Sequence, residues 1–239
     1  MLNGLYSAAA GMLAQQQRMD VLANDIANVN TAGYKSARVG FRDLIYNREQ
    51  GMPVGAGSAL LDLGRSSTQG ALVETDEPLN VALDGPGFFQ VRRSDGSLAL
   101  TRAGDFRLDR SGALVTASGE RVVPSIVVPQ GVKPSDIQID PSGVLSAGGR
   151  RLGQLVVVDV PARGGLLAVG NNLLLPTAAS GAPRALASTG VRQGFVEGSN
   201  VDLSESMVNV IDAQRNYQLD SRVIQTQDQL MEIANGIRR

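Results

Sequence analysis

The chain has 239 residues, 43% hydrophobic and 19% charged, enough for one or two domains with a true apolar core. Its 22 Lys and Arg against 23 Asp and Glu leave no overall basic field, so nucleic acid is excluded as a partner. Histidine and cysteine are absent, which removes a Ser-His-Asp triad, a cysteine nucleophile and the common zinc sites.

In chain order, the first expected element is a helix over 2–26. Apolar residues recur at Leu2, Leu5, Ala9, Met12, Met19, Ala23 and Ile26 with 3,4 spacing, interrupted at Gln16, the pattern of a helix packed along its length against another. Its opposite face, with Ser7, Gln15, Gln17, Arg18 and Asn24, reads as solvated. No positive charge precedes Arg18, so the small-residue run from Ser7 to Met12 does not read as a cleaved secretory signal. No apolar run approaches the ~18 residues of a membrane span, and membrane insertion is not expected. Asn28, Asn30 and Gly33 then favour turn conformations that end the helix. The Gly-rich passage 51–58 is expected to be a loop or extended arm.

From Arg65 to Arg192 short apolar runs alternate with turn residues, which predicts an antiparallel β domain. Hairpins are expected at Asp95-Gly96, Ser111-Gly112, Ser118-Gly119 and Ser142-Gly143. The stretches 108–114 and 139–145 echo one another and are read as hairpins with the same turn. Asp105, Asp109 and Asp140 each sit beside a glycine or a turn, so they read as turn formers rather than as a glycosidase pair. No phosphate-binding GxxxxGK[ST] occurs, nor a GxGxxG after a strand; no catalytic, metal-binding or cofactor-binding residue is assigned, and no cofactor is expected. Phe88 and Phe89 place one ring on each face of a strand. One is expected in the core, with the other available to a neighbouring molecule, and alternation alone does not choose between them.

The last element is a helix over 203–237. Val210, Tyr217, Ile224 and Met231 recur every seven residues behind Met207, with Gln214, Ser221 and Asp228 between them and a second row of Val223, Leu230 and Ile237 alongside. Asn200 or Asp202 is its expected N-cap, with Glu205 in capping-box spacing from Asp202, and Arg238 and Arg239 suit its far end. A ~50 Å helix exceeds what a modest β domain can cover, so copies of the chain are expected to complete the helical packing, as an open filament where the contacts do not close a ring.

The N-terminal run GLYSAAAGMLAQQQRMDVLANDIANVNTAGYKSARVGFRDLIY resembles the start of bacterial flagellar rod and hook proteins, and within them the distal-rod proteins of the basal body. The likeness returns at DGPGFFQV (84–91), TRAGDF (101–106) and GFVEGSNV (194–201), and continues through the last helix. The matching positions include Asn24, Asn28, Asn30, Gly33, Gly87, Phe88, Phe89, Gly198, Ser199 and Asn200.

The fold expected is α+β: terminal helices paired as a coiled-coil-like stalk around an inserted antiparallel β domain. The expected division is 1–35 for the first helix and turn, 36–64 for an arm, 65–192 for the β domain and 193–239 for the last helix. The resemblance implies a structural subunit, not an enzyme, that polymerises into the hollow periplasmic rod, transmits motor torque to the hook and passes exported subunits. It implies export without a cleaved signal peptide, and as partners further copies of the chain, other rod proteins, hook subunits and surrounding ring proteins. The passage between Phe41 and Phe88 reads as shorter than usual for the main distal-rod protein, which leaves a closely related neighbour in the rod open. A hook or proximal-rod subunit is the alternative, followed by a secreted carboxylate enzyme or a closed-oligomer adhesin module.

Overall fold

The computed structural model describes residues 2–44, 47–49, 52–186 and 188–237. Two helices bracket the chain, α1 at Leu2–Ala27 and α2 at Leu203–Ile237, with antiparallel strands between them. The chain divides into a unit of residues 1–27, 37–63 and 202–239 and a unit of residues 28–36 and 64–201.

The chain leaves α1 through a turn in which Thr31 N–H donates to the Asn28 carbonyl and the Thr31 hydroxyl to Asn28 Oδ1. Asp202 caps α2: its Oδ1 accepts from Glu205 N at 3.0 Å and its carbonyl from Ser206 N. Asn200 is not the cap, because its Oδ1 already accepts from Ser36 N. Arg238 and Arg239 lie outside the described residues, as does Gly51. The arm expected over 51–58 contains paired backbone: Met52–Val54 forms an antiparallel hairpin with Asn47–Glu49, and Ser58–Arg65 pairs with Ala37–Asp43. Gly57, at its end, lies against Ser7 and Ala10 of α1.

The helices run antiparallel against each other: Gly4 lies by Gln227, Gly11 by Asp220, and Arg18 donates to Asn209 Oδ1 at 2.9 Å. The α1 row turned to α2 is therefore Gly4, Ala8, Gly11, Gln15 and Arg18, one position ahead of the expected apolar row. Small side chains decide this, because the distance between helix axes is set by what stands at the contact. A Cβ on Gly11 would sit 2.8 Å from Asp220 Oδ2. The residues read as the wet face of α1 thus include its pairing face.

The second unit has a continuous apolar core. The strand Phe88–Arg92 lies at its centre, paired along one edge with Leu98–Thr101 and along the other with Val157–Asp159 and Arg121–Val122. Phe89 is fully buried on one face and meets Phe106 edge-on at 5.1 Å. Phe88 is buried on the other face among Leu100, Val158, Val160, Leu166 and Leu174. Both rings are core. The four expected hairpin turns stand between paired strands.

The echoed turns are alike in detail. Asp109 Oδ1 accepts from Ser111 N and Oγ and from Ala113 N, while Asp140 Oδ1 accepts from Ser142 N and Oγ and from Val144 N. Those bonds, led by the serine hydroxyl, hold both carboxyls below the ordinary aspartate range. Gly112 and Gly143 both take positive φ, at 77° and 80°.

Candidate functional site

The N-terminal family segment does not end with α1. Residues 28–36 belong to the same unit as the β strands, so the expected boundary after residue 35 falls inside a packed junction. Gly33 explains its opening: at φ 69° its N–H donates to the Glu197 carbonyl at 2.7 Å, and a Cβ there would lie 2.4 Å from Ala103 N. Asn172 Nδ2 reaches the Ala32 carbonyl at 2.8 Å.

At the centre of the junction is Glu197, whose side chain is wholly buried. Its Oε1 accepts from Lys35 Nζ at 2.5 Å and Gly70 N at 3.0 Å, and its Oε2 from Arg102 Nε at 2.5 Å. Arg102 spends its remaining donors on the carbonyls of Gly87 and Gly85. Burial pushes the Lys35 ammonium below its ordinary pKa, Glu197 pulls it back, and the Arg102 and Arg163 charges lower it further. Buried charges persist only where such partners compensate their desolvation. Gly198 and Asn200 complete the knot: Gly198 N donates to Ala71 O, and Asn200 Nδ2 donates to Thr68 O at 3.1 Å. Ser199 Oγ accepts from Val201 N. Of the motif residues, Gly33, Gly87, Gly198 and Asn200 meet here, Phe88 and Phe89 are in the core, Asn28 and Asn30 stand in the turn, and Asn24 is exposed on α1. Sequence reading assigned no role to Lys35, Arg102 or Glu197. Isolated charged residues carry no spacing signal, although their position inside the quoted family runs marked all three.

The second candidate is the helical surface. Among the described residues of α1 and α2 only Ala8, Ala14, Asp25, Ser206 and Ala213 are buried. Leu5, Met12, Met19 and Ile26 are half-buried, Ala9 and Ala23 are exposed, and the Leu2 side chain lies outside the described residues. Val210, Tyr217, Ile224 and Met231 are half-buried and share the helix stripe of Ser206 and Ala213 by their 3,4 spacing. Met207, by contrast, is 57% exposed. It joins Val208, Ile211, Leu219, Val223, Leu230 and Ile233, which leave α2 with apolar side chains in solvent on the side away from α1. Of these, only Met207, Val223 and Leu230 belonged to rows read from the sequence. The spacing of Leu203, Met207 and Ile211 was the available signal for more.

No helix among the described residues is long and apolar enough to cross a membrane. Among those residues no group of acidic side chains is placed to hold a metal ion.

Three family descriptions match the chain in order: "Flagella basal body rod protein" over 5–35, "Flagellar hook protein FlgE/F/G D1 domain" over 82–147 and "Flagellar basal body rod FlgEFG protein C-terminal" over 192–237. Flagellar basal-body rod protein FlgG of Agrobacterium fabrum is 39% identical over 260 residues, covering 98% of each chain. The chain belongs to the flagellar basal-body rod protein family. FlgG of Borreliella burgdorferi is 36% identical over 264 residues and FlgG of Bacillus subtilis 34% over 265, each covering the whole of both chains. Both alignments are longer than the 239 residues of this chain, so these relatives carry residues that have no counterpart in it. The family is one of structural flagellar proteins, and the matched segments include most of α1, all of α2 and part of the β unit.

Proposed function

We propose that this chain is a structural subunit of the distal rod, polymerising through its helices into a hollow helical shaft that carries torque to the hook and passes exported subunits. The observation that carries this reading is the set of apolar side chains of α2, from Met207 to Ile233, left in solvent by a helix pair that meets through small and polar residues such as Gly4, Ala8, Gly11 and Arg18. Contiguous apolar surface of this kind is covered by assembly in a stable protein. Neighbouring helices supply the cover, and pairing of α1 with α2 becomes coiled-coil-like only within that bundle. Leu5, Met12, Met19, Ile26, Met207, Val210, Tyr217, Ile224 and Met231 contribute to the packing seam between subunits. The partners are further copies of the chain in an open polymer, then other rod proteins, hook subunits and ring proteins of the basal body. The site of work is the periplasmic rod, reached by export without a cleaved signal peptide.

The test is rod assembly in cells lacking the native subunit, followed by imaging of isolated basal bodies with the subunit labelled. Ile224→Asp and Leu230→Asp are expected to abolish rods while the β unit melts as before, since an unpaired buried carboxylate costs several kcal/mol at about every subunit contact. Asp212→Ala, on an exposed position, is the control and assembles normally. Normal rods from both Asp variants would sink the assignment.

A further inference from the structure

The junction around Glu197 opens onto a cavity of about 260 Å³ with two unlike walls. One wall carries Lys35, Arg65, Arg102 and Arg163; the other is apolar, formed by Phe88, Leu166 and Leu174. Among the described residues no acidic side chain lines it. Glu197 holds Lys35 and Arg102, and Asp159 holds Arg163 through a two-pronged pair at 2.9 and 2.6 Å. Arg65 is set in place by stacking over Tyr34 at 5.4 Å and by donating to the Tyr34 hydroxyl. The rim bears the exposed Ser67. The lining thus carries four cationic side chains beside an apolar surface. The matching ligand is a carboxylate carried on an apolar stem.

A segment of the same chain has that chemistry. Val73-Glu-Thr-Asp-Glu77 presents Val73 at 50% exposure, with Glu74, Asp76 and Glu77 all exposed. No ion pair among the described residues engages those three carboxylates. Leu72–Glu74 is a short strand paired to Phe195–Glu197, which places the start of the segment at a sheet. We propose that the cavity is a docking socket for residues 73–77 of a second copy of this chain, with its carboxylates on the cationic wall and Val73 against the apolar one. This rests on the self-assembling reading above and names a contact between β units in addition to helix packing.

The test uses the full purified chain as a dilute monomer and a synthetic peptide of residues 71–78, titrated by calorimetry. Saturable binding is expected, weakening about tenfold or more from low to high salt, because the contact is largely between charges near the surface. A peptide with Glu74→Gln, Asp76→Gln and Glu77→Gln should bind about tenfold weaker or not at all. In the protein, Arg163→Gln should weaken binding. Ser67→Glu, an exposed rim position that leaves the core untouched, should do the same by placing a like charge at the mouth. Failure of the native peptide to bind, equal binding of the neutral peptide, or unchanged affinity in Ser67→Glu with normal melting each overturns the proposal. Hexanoate is the small-molecule arm: saturation by hexanoate without peptide binding would make the occupant a free carboxylate and reject the socket. Since no rod forms in these titrations, a negative result leaves the rod reading intact, and failed rods with normal peptide binding would strike only that reading.

Discussion

The β unit and the helical unit solve the problem of stability in opposite ways. The β unit buries large side chains completely, among them Phe89, Leu83, Leu100, Leu114 and Leu145, and secures residues 28–36 with a satisfied ion cluster. The helices bury chiefly alanine and leave Leu13, Ile211, Leu219 and Ile233 in solvent. Full burial of one large aliphatic side chain contributes about 1.5–3 kcal/mol, and the buried alanines of the helices supply little of that. A chain can thus carry one region that is finished as a monomer and another completed only by its neighbours.

The sharpest way to break this contrast is to attack the β unit where its charge is most deeply buried. Glu197→Ala strands Lys35 and Arg102 without their carboxylate, and a loss of about 3–5 kcal/mol is expected, read as a fall in the melting midpoint of the β unit. A change within about 0.5 kcal/mol would mean that water reaches the cluster and that residues 28–36 are held by other contacts. Limited proteolysis then compares the units directly. Cuts within 2–27 and 203–237 should precede those within 64–201 in a dilute monomer, because isolated helices with little buried surface open readily. Equal protection would erase the contrast.

Smaller effects sharpen it within the β unit. At Gly112 the φ of 77° is compounded by Val128 O, which would stand 2.4 Å from an added Cβ. Gly112→Ala is expected to cost more than the roughly 1 kcal/mol of left-handed strain alone. Gly96→Ala, at φ 83° with open space around it, should cost about that strain and no more. Denaturant midpoints of the pair check this. The smallest expected effect is in acid. Asp109 and Asp140 have folded pKa values below their unfolded ones, so their contribution is present above the ordinary aspartate range and is lost as pH falls through the folded values. Unfolding free energy measured between about pH 5 and pH 2 should decline, and Asp109→Asn should flatten the decline without shifting the helical signal.

Legibility followed the range of the forces involved. The helix of 203–237, the cap at Asp202 and the echoed Asp-x-Ser-Gly turns were readable because a few neighbouring residues decide them. The pairing row of α1 was not. Leu5, Met12 and Met19 make a regular 3,4 row, yet Gly4, Ala8 and Gly11 win the contact with α2, since spacing records which residues are apolar but not how closely a partner backbone can approach. The strands at 52–54 and 58–65 were hidden for a related reason: glycine was read as freedom where Gly57 meets α1.

By itself the sequence determined the two terminal helices, the antiparallel middle, the absence of histidine and cysteine chemistry, and the family, because periodicity, local turn chemistry and composition are properties of short stretches and of the chain as a whole. Only the tertiary structure decided that Phe88 and Phe89 are both core, that the segment ending in Lys35 folds with the β unit, and that Glu197 joins Lys35 to Arg102. Lys35 and Glu197 are 162 positions apart, and Arg102 and Glu197 are 95 apart. A contact at that separation depends on which strands pair and how closely their backbones approach, and no window of neighbouring residues contains it.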